Sequence, residues 1–196
     1  MTIKDREKVD GRLKRSEVNR QLIIDAMINL VNRGNYMPTA QQVADTSGVS
    51  IRTVFRHFTE MDLLYREIDD VIKPVYTLHF KQNFKGDLSV RIKRLANAIV
   101  NGFSEGYHLS KVTTVLKWRS PFLQSTYDHN QNLLRLYVLS MLPELKKYDD
   151  TTTEFVFGMA SFYFFERLHM DQGLSLAACK KLIIAHLSSV FEAELK

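Results

Sequence analysis

The chain has 196 residues, of which 45% are apolar and 11% aromatic, so it has material for a packed core and does not belong to the disordered class. Its formal net charge is +5, and most of the basic excess lies in residues 1–58, which carry ten Lys and Arg against six Asp and Glu. Its single cysteine, Cys179, excludes a disulfide framework and a cysteine-based metal cluster, and suits a reducing cytoplasm.

Apolar residues recur at helical spacing along the chain, which predicts an all-α protein without strands. Residues 1–15 are polar and basic, and we expect a loosely ordered arm there. The first helix is predicted over residues 16–33, with Ser16 as its N-cap. Its apolar face consists of Leu22, Ile23, Ala26, Met27, Leu30 and Val31.

Residues 39–58 read TAQQVADTSGVSIRTVFRHF and predict two short helices joined by a tight turn. Thr39 and Ser50 are suited to cap helix N-termini, and Gly48 can take the left-handed conformation that the turn needs. On the second helix, Val54 and Phe58 share one apolar face. The other face is polar and basic, with Ser50, Arg52, Thr53 and Arg56, and with His57 at its edge.

An apolar back and a basic, hydroxyl-rich front suit a helix that lies in the major groove of DNA. An ordinary helical hairpin with a solvated polar face is the alternative. The pattern T-x-x-x-V-A-x-x-S-G-V-S-x-x-T-V-F-x-H-F, from Thr39 to Phe58, resembles the DNA-binding domain of the TetR family of bacterial repressors. Phe55 and Met61 depart from it, because the family often has a tyrosine and a lysine there as phosphate contacts.

The resemblance implies an N-terminal three-helix helix-turn-helix DNA-binding domain, at residues 1–60, and a C-terminal helical domain for ligand binding and dimerisation, at residues 61–196. The implied partners are a double-stranded operator, a small-molecule effector and a second copy of the chain. We expect no cofactor, no metal, no membrane and no enzymatic activity. The basic arm is either a solvated tail or a segment that follows phosphates or reaches a minor groove.

We predict that Arg52 reads a base edge and that Ile51 contacts a thymine methyl. Phe55 would pack against the sugar–phosphate wall. The remaining residues predicted to hold phosphates, or to cap the helix, are Thr39, Ser50, Thr53, Arg56 and His57.

Downstream, Pro74 should kink or split a long helix. The helix after it places Arg91, Lys93 and Arg94 opposite its apolar residues. The predicted helices lie at residues 62–80, 88–105, 109–119, 121–142, 151–171 and 174–194.

Aromatic and methionine side chains in the central helices favour a small-molecule pocket, although such residues are also usual in a helical core. TetR-like regulators bind small, often apolar effectors between these helices. The predicted lining is Phe103, Tyr107, Trp118, Phe122, Tyr127, Tyr137, Met141 and Phe155, with His108, Lys117, Arg119 and His129 as polar candidates.

The last two helices are apolar on all sides, which requires burial on all sides. We predict an isologous homodimer through a four-helix bundle, as the resemblance also implies, with a buried hairpin in a monomer as the alternative. The predicted interface is Phe157, Phe164, Phe165, Leu168, Leu182, Ile183 and Leu187.

No Gly-rich phosphate loop or catalytic motif occurs, and the pair Glu166 and His169 lacks the second copy that a di-iron bundle needs. Together with the resemblance to the TetR family, this implies a dimeric regulator, a repressor that a small ligand releases from a palindromic operator. The alternatives are a ligand-independent or multi-site DNA-binding protein of the nucleoid or of division, a structural module with a filled core, and a helical enzyme.

Overall fold

The computed structural model describes residues 3–80 and 84–192, and all regular structure in these ranges is helical. The α-helices are α1 (Ile3–Asn32), α2 (Ala40–Ser47), α3 (Ile51–His57), α4 (Met61–Thr77), α5 (Leu88–Glu105), α6 (Tyr107–Leu116), α7 (Pro121–Met141), α8 (Asp150–Met159), α9 (Phe162–Glu166) and α10 (Leu176–Val190). Short 3₁₀ segments lie at Leu78–Phe80 and Pro143–Lys147, and a π-helical turn at Arg167–Asp171. None of these helices combines the length and apolarity that crossing a bilayer requires.

The first helix begins earlier than the sequence predicts. Residues 3–15 continue α1 without a break, so the expectation of a loosely ordered arm is wrong for them, and Ser16 lies inside the helix and not at its start. The segment is rich in Lys and Arg, whose unbranched side chains lose little freedom in a helix. Periodicity in apolar residues does not detect such a helix, because this part has no apolar face to bury.

The chain divides into two compact units. The first unit, which we call the N-terminal unit, comprises Met1–Val71 and Lys111–Ser125, and the second, the C-terminal unit, comprises Ile72–Ser110 and Thr126–Lys196. The boundaries of these units fall within α4, α6 and α7. A helix that continues through a boundary carries no composition change there, so the sequence does not mark it.

In the N-terminal unit, α1 packs against α2 and α3, and α2 packs against α3. The buried side of α1 is formed by Ile23, Ile24, Ala26, Met27 and Val31. Leu22, which the sequence analysis placed in the core, is exposed, and Ile24 is buried instead.

In the C-terminal unit, α5 packs against α10 and α9, and α8 packs against both α9 and α10. The predicted helix over residues 151–171 is interrupted, because α8 ends at Met159 and Ser161 caps α9 by accepting a hydrogen bond from the backbone N–H of Phe164. Phe165, Leu168, Ile183 and Leu187 are buried inside this unit.

This burial corrects part of the predicted dimer interface. Phe165, Leu168, Ile183 and Leu187 already belong to the core of a single chain, so they have no surface left for a partner. The all-round apolar character of α9 is explained on one side by contact with α5. Phe157, Phe164 and Leu182 are only partly buried against the same core.

Arg91 was predicted on the solvent face of α5, but the structure buries it. Its Nη1 donates to the carbonyl oxygen of Met141 at 2.6 Å and to Glu144 at 3.0 Å, while Nε donates to the carbonyl oxygen of Gly86 at 3.0 Å. Nη2 also donates to Glu144. The hydrogen bonds from Arg91 lower the pKa of Glu144, so this ion pair stabilises the fold above the ordinary pKa of glutamate and is lost as the pH falls through that lowered pKa.

Replacing Arg91 by alanine should lower the free energy of unfolding by about 3–5 kcal/mol, because Glu144 and two carbonyl groups lose a buried donor. Arg135 provides the matched control: it forms an ion pair with Glu154 of similar geometry, but both side chains are exposed. Arg135→Ala should cost less than about 1 kcal/mol. Urea unfolding of both variants measures the difference, and equal losses would contradict the structural role assigned to Arg91.

Candidate nucleic-acid interface

The turn between α2 and α3 is fixed by three backbone features. Thr39 caps α2: its side-chain oxygen accepts from the backbone N–H of Gln42 at 3.2 Å, and Gln42 Oε1 accepts from the backbone N–H of Thr39 at 2.9 Å. This reciprocal pair is a capping box. Gly48 then ends α2 in the left-handed conformation, with φ of 73°, and its N–H donates to the carbonyl of Ala44. These bonds determine where α3 starts.

Ser50 caps the N-terminus of α3, as predicted. Its side chain accepts from the backbone N–H of Thr53 at 3.2 Å, and the two hydroxyl oxygens lie 2.9 Å apart. Both hydroxyls are therefore engaged with each other at the first turn of α3. A phosphate contact from either side chain would use the remaining capacity of these oxygens.

The two faces of α3 differ as the sequence predicts. Val54 and Phe58 are buried, which holds the back of the helix against the N-terminal unit. The exposed residues on the front are Ile51, Arg52, Phe55 and Arg56. Phe55 is 46% exposed although its side chain is entirely apolar. The two arginines are four residues apart, and so are the two apolar residues, so each pair lies along one side of the helix. Such a surface can contact both the base edges and the sugar–phosphate wall of a groove.

His57 differs from the other predicted contacts. Its Nε2 is buried and has no hydrogen-bond partner, so a phosphate contact would have to be made through Nδ1. Burial, together with the nearby guanidinium groups of Arg56 and Arg20, lowers the pKa of His57. The imidazole is therefore neutral at pH 7 and would act as a neutral hydrogen-bond donor, not as a cation.

Arg20, which was not predicted to be a functional residue, supports α3 on its buried side. Its guanidinium forms an ion pair with Glu67 of α4 and lies 5.8 Å from the ring centroid of Phe58. The side chain therefore connects three helices of the N-terminal unit, because it lies on α1. Gln42 was also missed, although the spacing T-x-x-Q from Thr39 is the sequence signature of a capping box.

The segment Lys111–Ser125, which belongs to the N-terminal unit, is attached to α4. Ser120 Oγ donates to Asp62 Oδ1 at 2.8 Å, and the guanidinium of Arg66 lies 4.4 Å from the ring centroid of Phe122. Asp62 and Arg66 are one turn apart on α4. The end of α6 and the start of α7 are thus tied to the helix that follows α3.

The structure brings together only some of the residues predicted to line a ligand site. Phe103, Tyr107 and Tyr137 belong to one aromatic cluster of the C-terminal unit, whose rings contact one another edge to face or tilted. The other members of this cluster are Phe80, Phe84, Phe162 and Phe165.

The remaining predicted ligand residues lie elsewhere. Trp118 is 74% exposed and therefore does not line an enclosed cavity, and Phe155 is likewise exposed on α8. Phe122 lies under Arg66 in the N-terminal unit. Met141 is fully buried in the core, and Tyr127 is half-buried on α7. Of the polar candidates, His108 and Lys117 are half-buried, and Arg119 and His129 are exposed.

A cavity of about 210 Å³ lies between α7 and α8 in the C-terminal unit, and none of the eight predicted residues lines it. Its walls include the Arg135–Glu154 ion pair and the ring of Phe157, over which the Arg135 guanidinium lies 4.1 Å from the centroid. Among the described residues, no three His, Cys, Asp or Glu side chains are grouped so that they could hold a metal ion.

Gly48 lies in the left-handed region, which residues with a Cβ rarely adopt. An alanine Cβ would meet no atom within 4 Å, so any loss on substitution comes from the backbone conformation alone. Gly48→Ala should lower the free energy of unfolding by roughly 1–2 kcal/mol, and Gly48→Asn by less, because asparagine tolerates the left-handed region. Thermal unfolding of the two variants provides the comparison. If alanine were as stable as glycine, the assigned turn conformation would be wrong.

Comparison with known proteins shows the fold. No family model matches the chain, and no curated protein matches it by sequence. A transcriptional regulator from Rhodococcus sp. Rha1 superimposes with a TM-score of 0.66 at 15% identity, covering 91% of this chain and 96% of that one. A transcriptional regulator from Mesorhizobium loti MAFF303099, assigned to the TetR family, superimposes with a TM-score of 0.53 at 18% identity, covering 92% and 96%. The chain therefore has the fold of TetR-type transcriptional regulators, with an N-terminal helix-turn-helix and an all-helical remainder.

Proposed function

We propose that the protein is a DNA-binding transcriptional regulator of the TetR type, which binds a palindromic operator as a homodimer and is a repressor released by a small ligand. The observation that carries the proposal is the front of α3, which is exposed, basic and held rigid by a capped turn and a buried back. The solved structures with the same fold are transcriptional regulators, which supports the same conclusion.

Arg52 is the residue that we propose for base recognition. It is exposed and lies two positions after the Ser50 cap, in the first turn of α3. Residues near the N-terminus of a recognition helix contact base edges, and arginine pairs bidentately with guanine O6 and N7. Ile51, also exposed, would contact a thymine methyl beside it. For Arg56, which lies one turn further along α3, we propose a phosphate contact.

The homodimer would use the outer faces of α8, α9 and α10. Ala185 is exposed and lies two residues from both Ile183 and Leu187, hence on the side of α10 opposite these core residues. Leu182, half-buried, adjoins Ala185 on that side. Other exposed side chains with large apolar surface are Phe155 on α8, Tyr163 on α9 and Met170 on the π-helical turn between α9 and α10. Exposed apolar side chains on these elements support association with a second copy.

The ligand response would be transmitted through Lys111–Ser125. This segment is hydrogen-bonded to α4 by Ser120, and α4 is bound to α1 through the Arg20–Glu67 ion pair. A ligand that favours one arrangement of this segment would change the position of α4 and hence the spacing of the two recognition helices. Operator affinity would fall by the ratio of the ligand's affinities for the two states.

Arg52→Ala should reduce the difference in binding free energy between a selected operator duplex and a random-sequence duplex by about 1–3 kcal/mol. The reason is that a base contact, unlike a phosphate contact, is made only with the operator sequence. Arg167→Ala is the matched control, since this arginine is exposed on the π-helical turn of the C-terminal unit. Fluorescence anisotropy with both duplexes measures the preference. An unchanged preference in Arg52→Ala would refute the assignment of this contact, and a wild-type protein without any preference would favour the multi-site alternative.

Ala185→Glu should convert the dimer to a monomer, because two like charges would be buried face to face. Ala185→Ser keeps the size of the side chain and should remain dimeric. Light scattering gives the mass of each variant, and circular dichroism checks that the helices persist. A dimer of unaltered stability in Ala185→Glu would exclude this face of α10 from the interface.

A further inference from the structure

The hydroxyl of Tyr137, in the C-terminal unit, has no hydrogen-bond partner among the residues that the structure describes. Tyr137 is 8% exposed, and its hydroxyl oxygen is buried without a hydrogen bond. Burial raises the pKa of Tyr137 to about 12. A buried hydroxyl without a partner is destabilising, and native structures retain few such groups unless a water or a ligand satisfies them.

The surroundings of Tyr137 are aromatic. Its ring packs edge to face against Phe80, with centroids 5.2 Å apart, and against Phe84, with centroids 5.8 Å apart. Phe80 in turn contacts Phe103 at 6.4 Å. The rings that contact Tyr137 are thus phenylalanines. A small-molecule site has this kind of composition, in which apolar walls provide affinity and a polar group fixes the orientation of the ligand.

The two rings against Tyr137 differ in how firmly they are held. Phe80 lies directly on Gly102, where an added Cβ would be 2.8 Å from Phe80 Cε2, so the position of this ring is fixed by close packing. Phe84 is 47% exposed, which leaves much of its surface in water. A ligand ring that takes the place of Phe84 against Tyr137 therefore displaces little buried surface.

We infer that Tyr137 is the polar anchor of the effector site and that the effector is a neutral, ring-sized apolar molecule with one hydrogen-bond acceptor, such as a ketone. The tyrosine hydroxyl donates to this acceptor, which satisfies the buried group. A charged ligand is disfavoured, because the rings around Tyr137 offer no countercharge and burial of an unpaired charge is costly. This inference rests on the proposed function, in which a small ligand controls the regulator.

The test uses the full chain and two probes of the same skeleton, 1-tetralone, which has a carbonyl acceptor, and tetralin, which has none. Binding is followed by NMR of tyrosines labelled with ¹³C at Cζ, whose shift reports on the hydroxyl. Tyr137→Phe assigns the Tyr137 signal and removes only the donor. Tyr148→Phe is the control, because Tyr148 is a half-buried tyrosine of the same unit that packs against Phe191 and not against Tyr137. Phe84→Ala vacates the ring space that the probe is expected to fill.

We expect 1-tetralone to shift the Tyr137 signal and to bind about three- to tenfold more tightly than tetralin, as for one neutral hydrogen bond. This preference should persist in Tyr148→Phe and disappear in Tyr137→Phe. In Phe84→Ala, both probes should bind more tightly than in wild type. Equal binding of the two probes, or no shift of Tyr137 in either wild type or Phe84→Ala, overturns the inference.

The inference and the proposed function fail separately, because the probe experiments contain no DNA and the operator experiments contain no probe. A wild-type protein that binds 1-tetralone through Tyr137 but binds no DNA would contradict the proposed function alone. A protein that binds its operator but shows no acceptor preference would contradict the Tyr137 site alone.

Discussion

The left-handed backbone at Gly48 ends α2 and allows α3 to begin after three residues, so the position of the exposed, basic face of α3 depends on it. With φ of Gly48 at 73°, the helical conformation ends at Gly48, and Ser50 then caps α3. Val54 and Phe58 consequently point into the unit, while Arg52 and Arg56 remain exposed. The polar front of α3 is therefore a consequence of local backbone chemistry together with one buried helix face.

This part of the structure is predictable because its determinants are close together in sequence. The caps Thr39 and Ser50, the glycine between them and the apolar pair on α3 lie within twenty residues, and each acts through its own or the next turn. The boundaries of α5 and α7 follow for the same reason, because local breakers such as Asp87 and Pro121 mark their starts. Helix 3–15 was missed since a charged helix has no apolar period.

The features that were predicted incorrectly depend on residues distant in sequence. Arg91 has a charged side chain at an apparently exposed position, and only its partner Glu144, 53 residues later, explains its burial. Apolar periodicity likewise does not distinguish burial of Ile183 by its own chain from burial by a second copy. In the structure Ile183 is buried within a single chain, where α10 packs against α5. For the aromatic residues, composition does not separate Trp118, which is exposed, from Tyr137, whose hydroxyl is buried without a partner.

The central claim is that α3 lies in the major groove as one half of a symmetric pair. Protection of guanine N7 from dimethyl sulfate, measured on a duplex that the protein selects from a random pool, tests it most directly, because this atom faces the major groove. The account predicts two protected sites, related by two-fold symmetry and separated by about one helical turn, roughly 34–36 Å, or a multiple of it. A single asymmetric site, or protection confined to the minor groove, would contradict it.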